Sequence, residues 1–161
     1  MKGFMCFYED MTDLQNDSYE IGKTYKEEDK EKKYVIYENL EDSLRNYHAE
    51  INDVIICIVE GLEGGRKIED TVYEFIERYE FDSIKILKRV PREFIIEYAL
   101  NLYDFRLMRF LQSFKLTDEE KDKFRLKFGS NLRMKSTIDY YINGKKDAYK
   151  EEIKNKSHKK R

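Results

Sequence analysis

Over the first ninety residues, short apolar runs alternate with turn signals; beyond them the apolar positions fall at helical spacing. Gly3 to Tyr8 (GFMCFY) is a compact β-prone run ended by Glu9 and Asp10, and Tyr19 to Tyr25 (YEIGKTY) is an extended piece broken by Gly22. Lys26 to Lys33 is nearly all charge and reads as an exposed loop. Lys33 to Glu38 (KYVIYE) predicts a strand, and Asn39 is placed to cap a short helix whose Leu40, Leu44 and Tyr47 fall at i, i+4 and i+7. Asp53 to Glu60 (DVIICIVE) is β-branched and apolar at successive positions, the pattern of a central strand covered on both faces. Ile68, Val72, Phe75, Ile76 and Tyr79 then share one helical stripe, and Phe81 to Val90 alternates as a half-buried strand.

Pro91 stands where the period changes. Arg92 to Leu102 predicts a helix, and Asp104 is placed to cap a second with Phe105, Met108 and Leu111 inward. Thr117-Asp118-Glu119-Glu120 is a capping box for a third, which Gly129 closes. Ser130 opens a fourth through Tyr141, stopped by Asn143-Gly144, and Lys145 to about residue 155 predicts a fifth with Tyr149 and Ile153 inward. The expected fold is α+β: a small N-terminal sheet with two helices, followed by a C-terminal bundle of four to five helices. The expected units are an acidic domain over 1–90, a basic helical domain over 91–157 and a frayed tail over 158–161.

Charge sharpens that division. Residues 1–90 hold 22 Asp and Glu against 13 Lys and Arg, whereas 91–161 hold 11 against 18, so a total of −2 conceals −9 and +7. A chain of 161 residues is long enough to bury a core without staples, and its Tyr, Phe and Ile content is too high for a disordered chain. Cys6 and Cys57, each flanked by apolar residues, read as small core residues of a reducing compartment. The longest apolar run, Val54 to Val59, is far too short to cross a bilayer, and Lys2 lacks the glycine that myristoylation requires. The expected location is the cytoplasm of a host cell, without a membrane partner.

Candidate chemistry is sparse. Gly61-x-x-Gly64-Gly65-Arg66 is a glycine loop between an expected strand and helix, where free amides cradle phosphates, but the Lys-Ser/Thr pair of a nucleotide loop is missing. Cys57 sits mid-strand, and His48 is the one histidine before the tail, which leaves a thiol nucleophile without a base and a zinc site without ligand spacing. Adjacent acids such as Glu9/Asp10, Glu41/Asp42, Glu69/Asp70 and Glu119/Glu120 are expected by chance among 33 acids and read as solvated faces. The basic helices interleave Tyr140, Tyr141 and Tyr149 with cations, a pattern that suits nucleic acid, yet Asp139, Asp147, Glu151 and Glu152 interrupt it. The acidic part is suited to docking on a basic protein surface by electrostatic steering.

Gly3-Phe4, Phe7, Asp10 and Thr12, then Tyr19-Glu20-x-Gly22-Lys23-x-Tyr25, a strand with a short helix, and Phe81-Asp82-Ser83-Ile84-Lys85-Ile86-Leu87 resemble an uncharacterised domain family common in phages and prophages. The resemblance covers residues 1–90 and implies a phage-type context and a shared scaffold, not an activity. Where the family carries Thr-Cys-x-Gly and a Gly-Phe-His-x-Cys-like segment, this chain has Thr12-Asp13-Leu14-Gln15 and Tyr34-Val35-Ile36-Tyr37, so any chemistry of those polar residues is missing here. Together these features point to a non-catalytic protein that binds a host or phage protein through an acidic surface, for example as an anti-CRISPR-like inhibitor of host defence. The expected contacts are Tyr25, Tyr37, Glu38, Glu41, Asp42 and Tyr47, with no catalytic, cofactor or metal residue. Two alternatives stay open: a nucleic-acid-binding accessory protein using the basic helices, and an enzyme on nucleotides using the glycine loop.

Overall fold

The computed structural model describes residues 1–28, 32–49, 53–69 and 76–144. Their strands form a single sheet of seven, and every pair in it is antiparallel. In chain order these are β1 (Lys2–Tyr8), β2 (Thr24–Lys26), β3 (Tyr34–Tyr37), β4 (Val54–Glu63), β5 (Arg66–Lys67), β6 (Arg78–Phe81) and β7 (Ser83–Arg89). Their lateral order is β2-β7-β4-β1-β3-β6-β5. Four short helices follow: α1 (Arg92–Ala99), α2 (Asp104–Ser113), α3 (Asp118–Phe128) and α4 (Lys135–Tyr141).

The α+β class stands, but the small sheet with two helices does not. The short helix expected after Asn39 is one 3₁₀ turn, Glu41–Leu44, although Leu40, Leu44 and Tyr47 are buried as the spacing requires. Ser43 Oγ donates back to the Leu40 carbonyl at 2.6 Å, a local bond that competes with helix continuation. The helix expected over Ile68 to Tyr79 gives way to strand at its end, where Tyr79 of β6 pairs with Ile36 and with Lys67 of β5, while the Ile68 amide donates to the Arg78 carbonyl at 3.0 Å. Residues 70–75, between those strands, lie outside the described residues, as do the expected fifth helix and the tail. Tyr79, spaced for the helical stripe, is held in β6 instead, because pairing with β3 outweighs local periodicity.

The strand expected over Phe81 to Val90 is two. Asp82 alone separates β6 from β7, yet these strands occupy distant places in the lateral order. A one-residue connection cannot span a flat sheet of that width, so the sheet curls on itself around the Asp82 corner. The corner is bonded throughout: the Asp82 amide donates to the Glu63 carbonyl at 2.8 Å, its carbonyl accepts from Glu27 at 2.9 Å, and its carboxylate holds the Lys33 ammonium. The phosphate-loop geometry of Gly61 to Gly65 is not formed, because β5 and not a helix follows it. Instead the ring of Phe81 lies directly over Gly61 and Gly65, where a Cβ on Gly65 would meet the ring at 2.6 Å.

Curling gives the sheet two apolar faces. Inside lie Phe7, Ile36, Ile55, Cys57, Val59, Phe81, Ile84 and Ile86. The outer face presents Cys6, Val54 and Ile56 to α1–α4, which contribute Ile95, Ala99, Leu107, Phe110, Phe124 and Ile138. β4 feeds both faces alternately and pairs with β1 and β7, as its unbroken apolar pattern predicts. Pro91 precedes α1 where the period changes, while packing runs across that point. In the helical layer, Phe110 stacks on Phe114 at 4.9 Å and on Phe124 at 6.3 Å. The Thr117–Glu120 capping box is formed, and Gly144 at φ +66° follows α4. Asp104 does not cap α2 but is its first residue, with Tyr103 at the cap position and the Asp104 carboxylate bonded to Arg133 at 2.7 Å.

Gly65→Ala should cost about 1–3 kcal/mol, since the new methyl would force the buried Phe81 ring to shift. A urea midpoint unchanged from that of the parent chain would show that the corner does not require this close approach.

Candidate functional site

β1 and β3 are lateral neighbours but pair only at Phe4 with Tyr37. They touch there because Gly3 has no side chain: a Cβ on it would meet the Tyr37 carbonyl oxygen at 2.6 Å. Past that contact the strands part, and a cleft of about 240 Å³ opens between Met5 and Cys6 on one side and Tyr34 and Val35 on the other. Both faces of the sheet contribute to it: Tyr19 and Tyr34 from the inner core, Tyr37 and Tyr47 from the helix side. Tyr47 closes the floor, donating its hydroxyl to the Cys6 carbonyl at 2.8 Å.

A loop hairpin forms the lip. Thr12 and Ser18 are bridged, and Met11 and Asn16 take positive φ to turn the chain. Asp13 organises the turn: its Oδ1 accepts from the amides of Gln15 and Asp17, each at 2.9 Å, and its Oδ2 accepts from the Tyr19 hydroxyl at 2.9 Å. Tyr19 is thereby held against Phe7 and Tyr25, with ring centroids 5.0 and 4.9 Å away. The lip also brings Asp17 and Glu27 to the cleft, with Lys32 and Lys33 opposite in sign.

Burial dominates the tyrosine hydroxyls of the cleft. Burial raises the Tyr34 hydroxyl to about 12, with Glu27 and Asp17 adding to the shift. Burial likewise raises Tyr19, reinforced by its bond to Asp13, and raises Tyr47, with Cys6, Tyr8 and Asp13 contributing. All three hydroxyls are held neutral, chiefly by burial.

Of the contacts expected from sequence, the cleft brings together Tyr37 and Tyr47. Tyr25 lies on β2 behind it, its hydroxyl oxygen accepting from the Glu20 amide at 2.6 Å. Glu38 is exposed, and its amide donates to the Glu77 carbonyl at 2.9 Å. Glu41 and Asp42 are not surface acids: they are 1% and 0% exposed. Glu41 accepts from Tyr98 at 2.5 Å and from Arg106 at 2.7 Å, while Asp42 takes Arg109 and, at 3.3 Å, the Asn39 side chain. Burial raises the Asp42 carboxyl despite its bond to Arg109. These acids bind α2 to the 3₁₀ turn and are unavailable to a partner.

Asp13, Asp17, Tyr19, Glu27 and Tyr34 were not anticipated as contacts. The signal available was the density of acids over residues 9–28, seven against two lysines. The cysteines are both buried, which raises the Cys57 thiol to about 11 against a weak opposing pull from Arg89. Among the described residues no group of three or more His, Cys, Asp and Glu is placed to hold a metal ion, and no helix is long and apolar enough to cross a membrane. No protein-family model, no curated protein and no solved structure matches the chain. The phage-type resemblance of residues 1–90 therefore rests on the residues that carry it.

Arg109→Leu should cost about 3 kcal/mol, because it leaves Asp42 buried with only one cation near it among the described residues, Arg106 at 3.8 Å; adding Asp42→Leu should restore most of the loss, as read from urea midpoints. Tyr34, whose folded-state value is raised, contributes stability that is fully present below pH 10 and disappears as pH climbs through about 12. Tyr34→Phe should flatten that part of the alkaline stability profile; an unchanged slope between pH 10 and 12 would contradict the assignment.

Proposed function

We propose that this chain is a non-catalytic protein-binding protein whose acidic loop layer, residues 9–28, docks on a basic surface of its partner. The carrying observation is the exposure of that layer: Glu9, Asp10, Asp17, Glu20 and Glu28 are all exposed, and Asp17 lines a preformed cleft. Its two lysines are only loosely neutralising, Lys23 meeting Glu20 at 2.5 Å and Lys26 meeting Glu63 at 3.3 Å, both in solvent. Exposed pairs of that kind are readily exchanged for partner contacts. A concentrated field of one sign accelerates encounter and selects partners of the opposite sign. The phage-type resemblance supplies the class of partner, a host or phage protein. Occupation of a functional surface on a host defence protein, in the manner of an anti-CRISPR, is the form this takes.

Nucleic-acid binding is the second reading, and its support has shifted along the chain. The described helical residues, 92–144, carry ten Lys and Arg against eight Asp and Glu, so most of the C-terminal excess belongs to residues 145–161. α3 alternates Lys121, Lys123, Arg125 and Lys127 with Asp118, Glu119, Glu120 and Asp122, which leaves no net charge on that helix. A phosphate-binding surface needs a stronger basic footprint than these helices offer.

Affinity capture from the host followed by assay of the partner's own activity gives the direct test. The triple variant Glu9→Lys, Glu20→Lys, Glu28→Lys should slow association with the captured partner by about tenfold or more at low salt, with a smaller effect on dissociation. An association rate untouched by this reversal would remove the acidic layer from the interface. Binding to oligonucleotides with a steep salt dependence would favour the second reading instead.

A further inference from the structure

Resting on the protein-binding reading, we infer that the cleft between β1 and β3 receives an arginine side chain of the partner. The size of the opening limits the occupant. About 240 Å³ accommodates one long side chain, whereas a partner helix is about 10–12 Å across and would have to remain at the lip.

The charge is decided by which lining groups are already committed. Lys33 is held by Asp82, and Asp13 already accepts from two amides and the Tyr19 hydroxyl. Asp17 and Glu27, the latter also accepting from the Tyr34 hydroxyl with acceptor capacity to spare, then face one further cation among the described lining residues, Lys32. Asp17 and Glu27 also act on the Tyr34 hydroxyl, which burial already raises, so the two carboxylates and the ring share one opening. Arginine fits better than lysine because its planar guanidinium can lie on a tyrosine ring while its fork of N–H donors engages carboxylates. Tyr34 and Tyr37 supply ring surface, and Asp17 and Glu27 supply the acceptors.

The probe is Nα-acetyl-arginine amide titrated into the full chain, with the neutral citrulline analogue as control and tyrosine ring resonances as the readout. Saturable shifts at Tyr34 and Tyr37 are expected with the arginine probe, at least about tenfold weaker with citrulline and at least about tenfold weaker in the double variant Asp17→Asn, Glu27→Gln. Equal response to citrulline, or a folded double variant that binds as the parent does, overturns the inference. Should the double variant fail to fold, Lys32→Glu carries the test: it removes the opposing cation and should tighten the arginine probe several-fold, about what one exposed charge change yields. An unchanged or weaker affinity in that variant also overturns it. The two readings fail separately. If the acidic layer is not the docking face, partner association ignores the loop charge reversal while the probe still binds the cleft. If the cleft is not the arginine site, partner association falls on loop reversal but ignores Asp17→Asn, Glu27→Gln.

Discussion

The architecture depends on a corner one residue long. Because Asp82 alone joins β6 to β7, two strands that pair with different neighbours must begin at the same point in space, and the sheet has no option but to curl. Three bonds from Asp82, to Glu63, Glu27 and Lys33, anchor β4 and the segment between β2 and β3 to that point. The glycines at positions 61 and 65 are there because a phenylalanine ring must lie on the backbone beside it. A motif that looks made for phosphate serves an aromatic contact instead. The chemical need is the same in both cases, close approach to bare backbone, and only the neighbour distinguishes them.

Curling also accounts for the cleft. Strands that converge at one contact and belong to a strongly curved sheet cannot stay parallel along their length, and β1 and β3 separate beyond Phe4 and Tyr37. Tyr47 substitutes for a strand partner by bonding the Cys6 carbonyl, which satisfies a backbone group that the gap would otherwise orphan. The gap is thus stabilised as an opening and not filled as a packing defect. Its lip is an Asp13-centred turn, a construction that fixes the Asp13 carboxylate at low entropic cost because the neighbouring backbone holds it.

Charge is used in two opposite ways. Glu41 and Asp42 are drawn inward, where Arg106, Arg109 and Tyr98 satisfy them and tie the helical layer to the sheet. Such a pair adds little net stability over an apolar substitute, but it penalises any arrangement in which α2 sits elsewhere. Five acids of residues 9–28, Glu9, Asp10, Asp17, Glu20 and Glu28, remain exposed. One composition therefore supplies both an internal register and an external field.

Much of this was readable in the chain. β1, β3 and the doubly covered β4 follow from apolar pattern; the capping box at Thr117, the break at Pro91 and the stop at Gly144 follow from local backbone chemistry that no neighbour has to supply. The inward direction of Leu40, Leu44 and Tyr47 was also legible, because burial depends on which side chains are apolar even where the element is a single turn. Tertiary structure alone decided the rest. Whether Tyr79 belongs to a helix or to β6 turns on a strand forty residues earlier, and whether Asp42 faces solvent turns on an arginine sixty-seven residues later. Hydrophobic period and turn preference are local properties of the backbone, whereas strand partners, ion-pair partners and the gap between β1 and β3 exist only once distant segments meet.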